Sequence, residues 1–257
     1  MSLKFYNYNL VNQSSTVITP STENAFFPAS NLKDDRRSKV FRSTGASVNI
    51  VFDFQSTEDV DSILLVPHGT NGWGIDTPIT VEANATNTWG SPAYSTTITS
   101  SDLDAEHEIA IKEFTTQSYR YWRVVATGTS YVEISKIFIG QKQLIGTGKS
   151  PDYNWQFVDN DNSIVQLNRY GQKFIDELPD QKRIAFVLSN MTMDQVDDFF
   201  SVYDYNRKIK PFFMYIDCAI LNNNKRFAGY FYFDEKPSIT NPFHALYTAN
   251  CSVSEGL

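Results

Sequence analysis

The feature that most constrains the fold of this chain is an alternation of apolar and polar residues over most of its first 143 positions. In the segment ASVNIVFDF, Val48, Ile50, Phe52 and Phe54 share one face, and the segments ITVEAN and YVEISKIFIG repeat the pattern. Clusters of Gly, Pro, Asn, Ser and Thr separate these segments, as is typical of short antiparallel strands joined by surface loops. The alternation therefore predicts an all-β domain over residues 1–143.

The segment SYRYWRVVATG, residues 118–128, concentrates three aromatic rings and two arginines, a composition also found in nucleic-acid and sugar sites. In a strand Arg120 shares a face with Trp122, whereas Arg123 shares the other face with Tyr121, so the arginines form no basic stripe. The formal net charge is −7, which argues against a nucleic-acid partner because such binding neutralises phosphates with a basic face. We predict a structural strand whose tryptophan faces the core.

A change of pattern after the last of these strands predicts a second domain. The segment QKQLIGTGKS carries two glycines that interrupt any periodicity, so residues 144–150 are predicted to be a linker. In TMDQVDDFFSVYDYN, Thr192 and Gln195 form a capping box and apolar residues follow at helical spacing, which predicts one helix at about 192–205. Strand patterns resume after this helix. Residues 151–257 are therefore predicted to be a smaller α+β domain, an antiparallel sheet with one helix.

The reactive residues form no catalytic or metal-binding motif. The three histidines lie in separate segments, and the two cysteines, Cys218 and Cys251, lie in apolar segments where a reduced, buried thiol is expected. No phosphate-binding loop or nucleophile motif is present, and adjacent acidic pairs are typical of solvated surface. We therefore predict a protein that is not an enzyme and that holds no cofactor and no metal ion.

The sequence predicts neither a membrane segment nor an export signal. It contains no run of about 18 apolar residues, the length that a bilayer-spanning helix requires. The first residues, MSLKFYNYNL, lack the continuous apolar region of a signal peptide. We expect a soluble chain without a membrane partner.

Several segments of the first half resemble the discoidin, or coagulation factor C-type, family of galactose-binding-like domains. These segments are FPASNLKDDRRSKVFRST, SVNIVFDF, VDSILLVPHGTN, YRYWRVVATG and VEISKIFIG, and their order and spacing agree over about 120 residues. The resemblance implies a jelly-roll β-sandwich, a fold shared with many carbohydrate-binding modules. Through PASNL and SKVFRST, this half looks most like the copies found in tail proteins of tailed bacteriophages.

The second half resembles the small β domains of bacteriophage tail-tip and baseplate proteins, through RYGQKF, KPFFMYID, RFAGYFYF and the final SVSE. Those domains form rings. The resemblance implies a non-enzymatic structural component of a tail tip or baseplate that assembles through its C-terminal domain. The implied partners are other phage tail proteins and further copies of this chain. The implied location is the tail of the virion, after synthesis in the bacterial host cytoplasm.

The alternative is a carbohydrate-binding protein that recognises a cell-surface glycan through loops of the N-terminal sandwich. The loop HGTNGWGID supplies His68, Asn71, Trp73 and Asp76 as possible glycan-binding residues. Its indole ring would stack on a pyranose, and its polar side chains would orient the sugar hydroxyls. A structural role for Trp73, inside its own sandwich or against a neighbouring subunit, is the competing interpretation.

Asp34 and Asp35 are adjacent carboxylates in the segment NLKDDRR. Some relatives in the discoidin-like family hold a structural calcium ion, and these two residues are the candidates that the resemblance offers for it. Further oxygen ligands for a calcium site are not identifiable in the sequence, so no metal site is predicted.

The strand RFAGYFYFD predicts an assembly surface. Phe231 and Phe233 lie on one face of this strand and Tyr230 and Tyr232 on the other, so the sheet is aromatic on both sides. The helix covers one face, and a domain with a single helix has little left to cover the other. We therefore predict contacts with other copies or other tail proteins through Tyr230 and Tyr232.

Overall fold

The computed structural model of the chain describes residues 2–67, 76–103, 109–176, 180–217 and 225–256, apart from the side chains of residues 76, 77 and 226. Within these residues the chain is mainly β, with antiparallel sheets and one α-helix, as predicted. The chain divides into two compact units. The sandwich unit comprises Tyr6–Gln143 and Ala219–Ala228, and the C-terminal unit comprises Met1–Phe5, Leu144–Cys218 and Gly229–Leu257.

The strands and the helix are numbered in chain order. They are β1 (Ser2–Tyr6), β2 (Val17–Pro20), β3 (Phe41–Arg42), β4 (Ser47–Pro67), β5 (Asp76–Asn84), β6 (Tyr94–Ile98), β7 (Ala110–Thr127), β8 (Glu133–Gly140), β9 (Gln143–Leu144), β10 (Gln156–Asn160), β11 (Ile164–Leu167), β12 (Lys173–Asp176), β13 (Gln181–Met191), α1 (Met193–Asn206), β14 (Phe212–Asp217), β15 (Ala228–Phe233), β16 (Ser238–Phe243) and β17 (Leu246–Glu255).

The sandwich unit is built on the long antiparallel pair of β4 and β7. Its strands follow the order β3-β8-β4-β7-β5-β6, and β2 pairs with β4. The β4–β7 register shifts between Asp53 and Glu58, where Gln55 has a φ of 68°. Through this irregularity the pair continues from the part flanked by β2 and β5 into the part flanked by β8.

Strand β7 has the two faces that the alternation predicts. Trp122, Val124 and Ala126 are buried in the core, whereas Tyr121 and Arg123 are half-buried on the opposite face. Alternate residues of β4, β5 and β8 complete this core, among them Val48, Ile50, Phe52, Phe54, Ile79, Val81, Ala83, Ile137 and Ile139. The period-2 pattern is thus confirmed as the origin of the core.

The C-terminal unit contains an eight-stranded antiparallel sheet and α1. The strand order is β10-β13-β17-β15-β14-β1-β9, and β16 pairs with β17. The predicted capping box begins the helix, because the Gln195 N–H donates to the Thr192 hydroxyl and the Thr192 N–H donates to Gln195 Oε1. Among the described residues, no helix has the length and apolar character that crossing a membrane requires.

Residues 144–150, predicted as a linker, are an ordered part of the C-terminal unit. Ile145 is fully buried, and the Leu3 N–H donates to the Lys149 carbonyl at 3.0 Å. Gly146 has a φ of 57°, a conformation that glycine adopts without steric cost. The glycines therefore make a tight turn here, directly after the boundary between the two units at Gln143, and the linker stays a prediction.

The first strand also departs from the predicted domain of residues 1–143. β1 lies between β14 and β9, so it belongs to the C-terminal sheet. Phe5 is fully buried, and its ring lies 6.2 Å from that of Phe199 and 5.9 Å from that of Phe212. Sequence order alone assigns this strand to its neighbours in the chain, whereas strand pairing assigns it to the distant half.

Candidate functional site

Two connections of the sandwich unit lie side by side near the start of β8. Ser47 begins β4 opposite Thr127, the last residue of β7, and Asp76 begins β5 opposite the same threonine. Pro67 ends β4 opposite Ile134, at the start of β8. The connections 42–47 and 127–133 therefore both lead from the Ser47–Thr127 pair to the Arg42–Glu133 pair, at the end of the sandwich unit where β8 begins.

These two connections are tied together by hydrogen bonds. The Ser43 N–H donates to the Val132 carbonyl at 2.9 Å, and the Val132 N–H donates to the Ser43 hydroxyl at 2.8 Å. The Gly128 N–H donates to the Ala46 carbonyl at 2.7 Å. These bonds fix the loop backbone that presents the side chains described next.

Arg42 is at the centre of a charged and aromatic group at this end. Its guanidinium carbon lies 4.3 Å from the centroid of the Phe27 ring and 4.6 Å from that of the Tyr131 ring. Its Nη2 donates to both carboxylate oxygens of Glu133, at 3.1 and 3.3 Å, and the Glu133 side chain is only 5% exposed. The guanidinium is thus held between two rings and one buried carboxylate.

The same group contains exposed aromatic rings and one buried N–H group that has no hydrogen-bond acceptor in the described ranges. Tyr131 is 41% exposed, and Phe26, next to Phe27 in the chain, is 87% exposed. Within the described residues, Arg42 Nε is buried without a hydrogen-bond partner. We refer to Phe26, Phe27, Arg42, Tyr131 and Glu133 as the end cluster.

Backbone pairing explains how these residues meet. The Arg42 N–H donates to the Phe27 carbonyl and the Asn24 N–H donates to the Arg42 carbonyl, which places the segment 24–27 beside β3. Arg42 is the register partner of Glu133 across β3 and β8. Sequence reasoning missed the cluster because this pairing joins residues that are 91 positions apart. Its weak sequence signal is the placement of Phe-Phe and Tyr beside charged residues at strand ends.

The four predicted glycan-binding residues lie between the end of β4 and the first residue of β5. His68, Asn71 and Trp73 lie outside the residues that the structure describes. Asp76 is the first residue of β5, and only its backbone is described. The residues that flank the loop, Pro67 and Asp76, pair beside the strand ends that carry the end cluster. The role of these four residues stays a prediction.

Asp34 engages a basic side chain. Its carboxylate accepts hydrogen bonds from the Arg36 side chain at 2.7 and 2.9 Å, and this interaction holds the pKa of Asp34 well below its ordinary value. The Asp35 carboxylate accepts a hydrogen bond from the Asn12 amide at 3.3 Å. In the described part of the chain, no group of three or more His, Cys, Asp or Glu residues is placed to hold a metal ion.

The ammonium group of Lys136 lies among the backbone carbonyl oxygens around Asp34. Lys136 is 3% exposed, and its Nζ donates to the backbone carbonyl of Asp34 and, at 3.5 Å each, to those of Asn31 and Lys39. Burial lowers the pKa of Lys136 to about 8. The buried Lys136 ammonium group thus adds to the positive charge that Arg36 places beside Asp34.

The predicted assembly residues are less exposed than expected. Tyr230 is 4% exposed, and its ring lies 4.7 Å from that of Phe213, while Tyr232 is half-buried. The expectation of an open face is wrong for Tyr230, because the neighbouring strand β14 brings an aromatic side chain against it. A role of these tyrosines in assembly stays a prediction.

Known structures are similar to this chain in fold over about half of its length. The sequence matches no protein-family model and no curated protein. The structural neighbours named here are carbohydrate-binding modules. The chain is similar to chitosan-binding module 1 of a chitosanase/glucanase from Paenibacillus sp. IK-5, at 21% identity and a TM-score of 0.40, over 52% of this chain and 99% of that one.

Two modules from Clostridium perfringens are similar over about the same share of this chain. The family 32 module of NanJ, in complex with galactose, matches at 14% identity and a TM-score of 0.41, over 53% of this chain and 98% of that one. The module CpGH89CBM32-5, in complex with GalNAc-beta-1,3-galactose, matches at 11% identity and a TM-score of 0.42, over 52% of this chain and 100% of that one.

Proposed function

We propose that the chain is a non-catalytic glycan-binding protein whose sandwich unit recognises a cell-surface sugar through the end cluster. The observation that carries this proposal is the Arg42 guanidinium, held between Phe27 and Tyr131 and anchored to buried Glu133. Such an arrangement fixes a donor group before any ligand arrives, which lowers the entropic cost of binding.

The end cluster matches the surface chemistry of a pyranose. A sugar ring presents hydroxyl groups at its edge and a patch of C–H groups on its face, and an exposed aromatic ring packs against that patch. Phe26 and Tyr131 supply exposed rings, and Arg42, whose side chain is 29% exposed, supplies guanidinium N–H donors for hydroxyl oxygens. Because Glu133 neutralises Arg42, we expect an uncharged sugar to be preferred to an acidic one.

A glycan array probed with the whole chain tests this function. We expect affinity on the order of micromolar for at least one neutral glycan, and a loss of about tenfold or more in Tyr131→Ala and Phe26→Ala. Arg42→Lys keeps a positive charge beside Glu133 while it removes the planar fork, so it is expected to bind weakly and remain folded.

The matched control is Tyr153→Ala, which removes a fully exposed aromatic ring from the C-terminal unit. This variant is expected to bind like the unmodified chain. A folded chain that binds no glycan, or an equal loss in the control, contradicts a sugar site at the end cluster.

A structural role in a bacteriophage tail tip or baseplate is a second candidate function. It rests on the resemblance of both halves to tail proteins, and one observation favours assembly: the β11–β12 hairpin exposes Val165, Leu167, Phe174 and Ile175, each by more than half. Exposed apolar side chains on one hairpin are typical of surfaces that another chain covers.

Mass spectrometry of purified tailed particles, from a bacterial strain that encodes this chain, tests the second function. Detection of the chain at a fixed ratio to other tail proteins supports a virion component. Recovery of the chain only from the particle-free fraction argues against it.

A further inference from the structure

A second concave surface lies on the sandwich unit, separate from the end cluster. It is a cleft of about 510 Å³, within the size range of small-ligand sites. The segment 141–143, which follows β8, contributes to its wall, whereas the end cluster lies at the start of that strand. Its lining residues are Tyr8, Leu10, Thr57, Glu58, Asp59, Gln141, Lys142 and Gln143.

The acidic side of the cleft is formed by the irregular part of β4. Between the register pairs Asp53–Tyr121 and Glu58–Tyr119, β4 advances five residues while β7 advances two. Gln55, inside this bulge, has a φ of 68°, which is uncommon for a residue other than glycine. Bulges of this kind redirect side chains next to binding sites, and here Thr57, Glu58 and Asp59 line the cleft.

Both carboxylates are oriented by a neighbouring hydroxyl. The Ser56 hydroxyl donates to Glu58 Oε1 at 2.6 Å, and the Ser118 hydroxyl donates to Asp59 Oδ1. Each bond engages one carboxylate oxygen and leaves the second oxygen as an acceptor for a ligand. The two acids are therefore fixed in orientation without being neutralised by these partners.

The basic residue of the cleft is engaged by other acids. Lys142 Nζ lies 3.7 Å from Asp61 Oδ2 and 3.7 Å from Glu113 Oε1, and the Lys142 N–H donates to Asp61 Oδ1 at 2.9 Å. Because two carboxylates already face this ammonium group, Glu58 and Asp59 give the cleft an excess of negative charge. An excess of negative charge favours a cationic ligand.

The remaining lining chemistry is that of a sugar site. Tyr8 is 47% exposed and offers an aromatic ring, while Gln141 and Gln143 carry amides that both donate and accept hydrogen bonds. An aromatic ring with amides suits the C–H and hydroxyl groups of a pyranose, and the two acids suit a protonated amine.

We propose that this cleft binds an amino sugar, a pyranose bearing a protonated amine, with Glu58 and Asp59 facing the ammonium group and Tyr8 packing against the ring. The site is independent of the end cluster, so the sandwich unit has two sugar sites of different charge preference. One accepts neutral glycans and the other accepts deacetylated, cationic ones.

Calorimetric titration of the full-length Tyr131→Ala variant, in which the end cluster is expected not to bind, with two matched probes tests the proposal. The probes are an oligosaccharide of β-1,4-linked glucosamine and its N-acetylated form, at a pH where the free amine is protonated. We expect at least tenfold tighter binding of the glucosamine oligosaccharide, and weaker binding at high salt because the attraction is electrostatic. Equal affinity for both probes, or no binding of the cationic probe, overturns the proposal.

Isosteric variants test whether binding requires the negative charge of the two acids or only their size and shape. Glu58→Gln and Asp59→Asn are each expected to weaken binding of the glucosamine oligosaccharide about tenfold, because each removes one charge and little volume. Asp180→Asn, which removes one exposed charge from the C-terminal unit, is the control and is expected to bind normally. Normal binding by both cleft variants overturns the proposal.

Variants at the ring and at the end cluster locate the site. Tyr8→Ala is expected to lose binding of the cationic probe, whereas Tyr8→Phe keeps the ring and retains it. Tyr131→Ala is expected to leave this binding unchanged, which distinguishes failure at the cleft from failure at the end cluster. Loss of the cationic probe in Tyr131→Ala, with retention in Tyr8→Ala, overturns the cleft assignment.

Discussion

Two lysines of the sandwich unit donate hydrogen bonds to backbone carbonyls. Lys33 donates to the Gln13 carbonyl at 3.0 Å and to the Thr16 carbonyl at 2.5 Å, and Lys136 donates to carbonyls of the loop around Asp34. Carbonyl dipoles satisfy the donors of a buried ammonium group but do not fully replace its hydration. A buried lysine of the folded chain therefore loses its proton at a lower pH than the same lysine in the unfolded chain.

We expect Lys136 to make the unfolding free energy of the sandwich unit depend on pH in the alkaline range. Its pKa is about 8 in the folded chain and 10.5 for the ordinary side chain, so between these pH values the unfolded chain holds more protons. The free energy of unfolding then rises with pH, by about 2 kcal/mol from this group between roughly pH 7 and 10.

Lys136→Met removes this dependence. Chemical denaturation of both proteins at neutral and alkaline pH is expected to show the difference in unfolding free energy, unmodified chain minus variant, growing as pH rises. A difference that stays constant or shrinks with pH contradicts a depressed lysine pKa.

Helix α1 derives its start from local sequence and its orientation from packing. The capping box at Thr192 satisfies two N–H groups at the first turn. The buried face consists of Val196, Phe199, Val202 and Tyr203, whereas Phe200 lies at the edge of this face and is half-buried. The capping box can thus be predicted from four consecutive residues. Which residues form the buried face of the helix depends on the sheet that packs against it.

Thr192→Ala is expected to lower the unfolding free energy of the C-terminal unit by about 1 kcal/mol, because an alanine cannot accept the first-turn hydrogen bond. Thr192→Ser retains a hydroxyl acceptor and is expected to remain close to the unmodified chain. Thermal unfolding of both variants provides the measurement, and equal losses in the two would mean that the side-chain cap contributes nothing.

At the scale of the whole molecule, the first strand and most of the second half of the chain form the C-terminal unit. Most of the residues between them form the sandwich unit. β1 joins the sheet formed by the second half, so both ends of the sequence contribute to the C-terminal unit. Such an arrangement requires pairing between residues that are far apart in the chain, which is entropically more costly than local pairing.

Phe5→Ala is expected to destabilise the C-terminal unit by about 3 to 5 kcal/mol, because it empties a fully buried site between Phe199 and Phe212. Hydrogen exchange resolved by residue provides the measurement. Faster exchange is expected in β14 and α1, with little change in β5 and β6. The opposite distribution would assign the first strand to the sandwich unit.

The sequence by itself determined the class of fold, the buried faces of β4 and β7, and the start of the helix. Each of these follows from neighbouring residues, because strand alternation, a capping box and a turn operate over two to four positions. Tertiary structure alone decided that Arg42 meets Glu133, that Tyr230 packs on Phe213, and that Glu58 and Asp59 line a cleft with Tyr8. These contacts join residues on different strands, and strand register, which no local pattern encodes, determines which side chains meet.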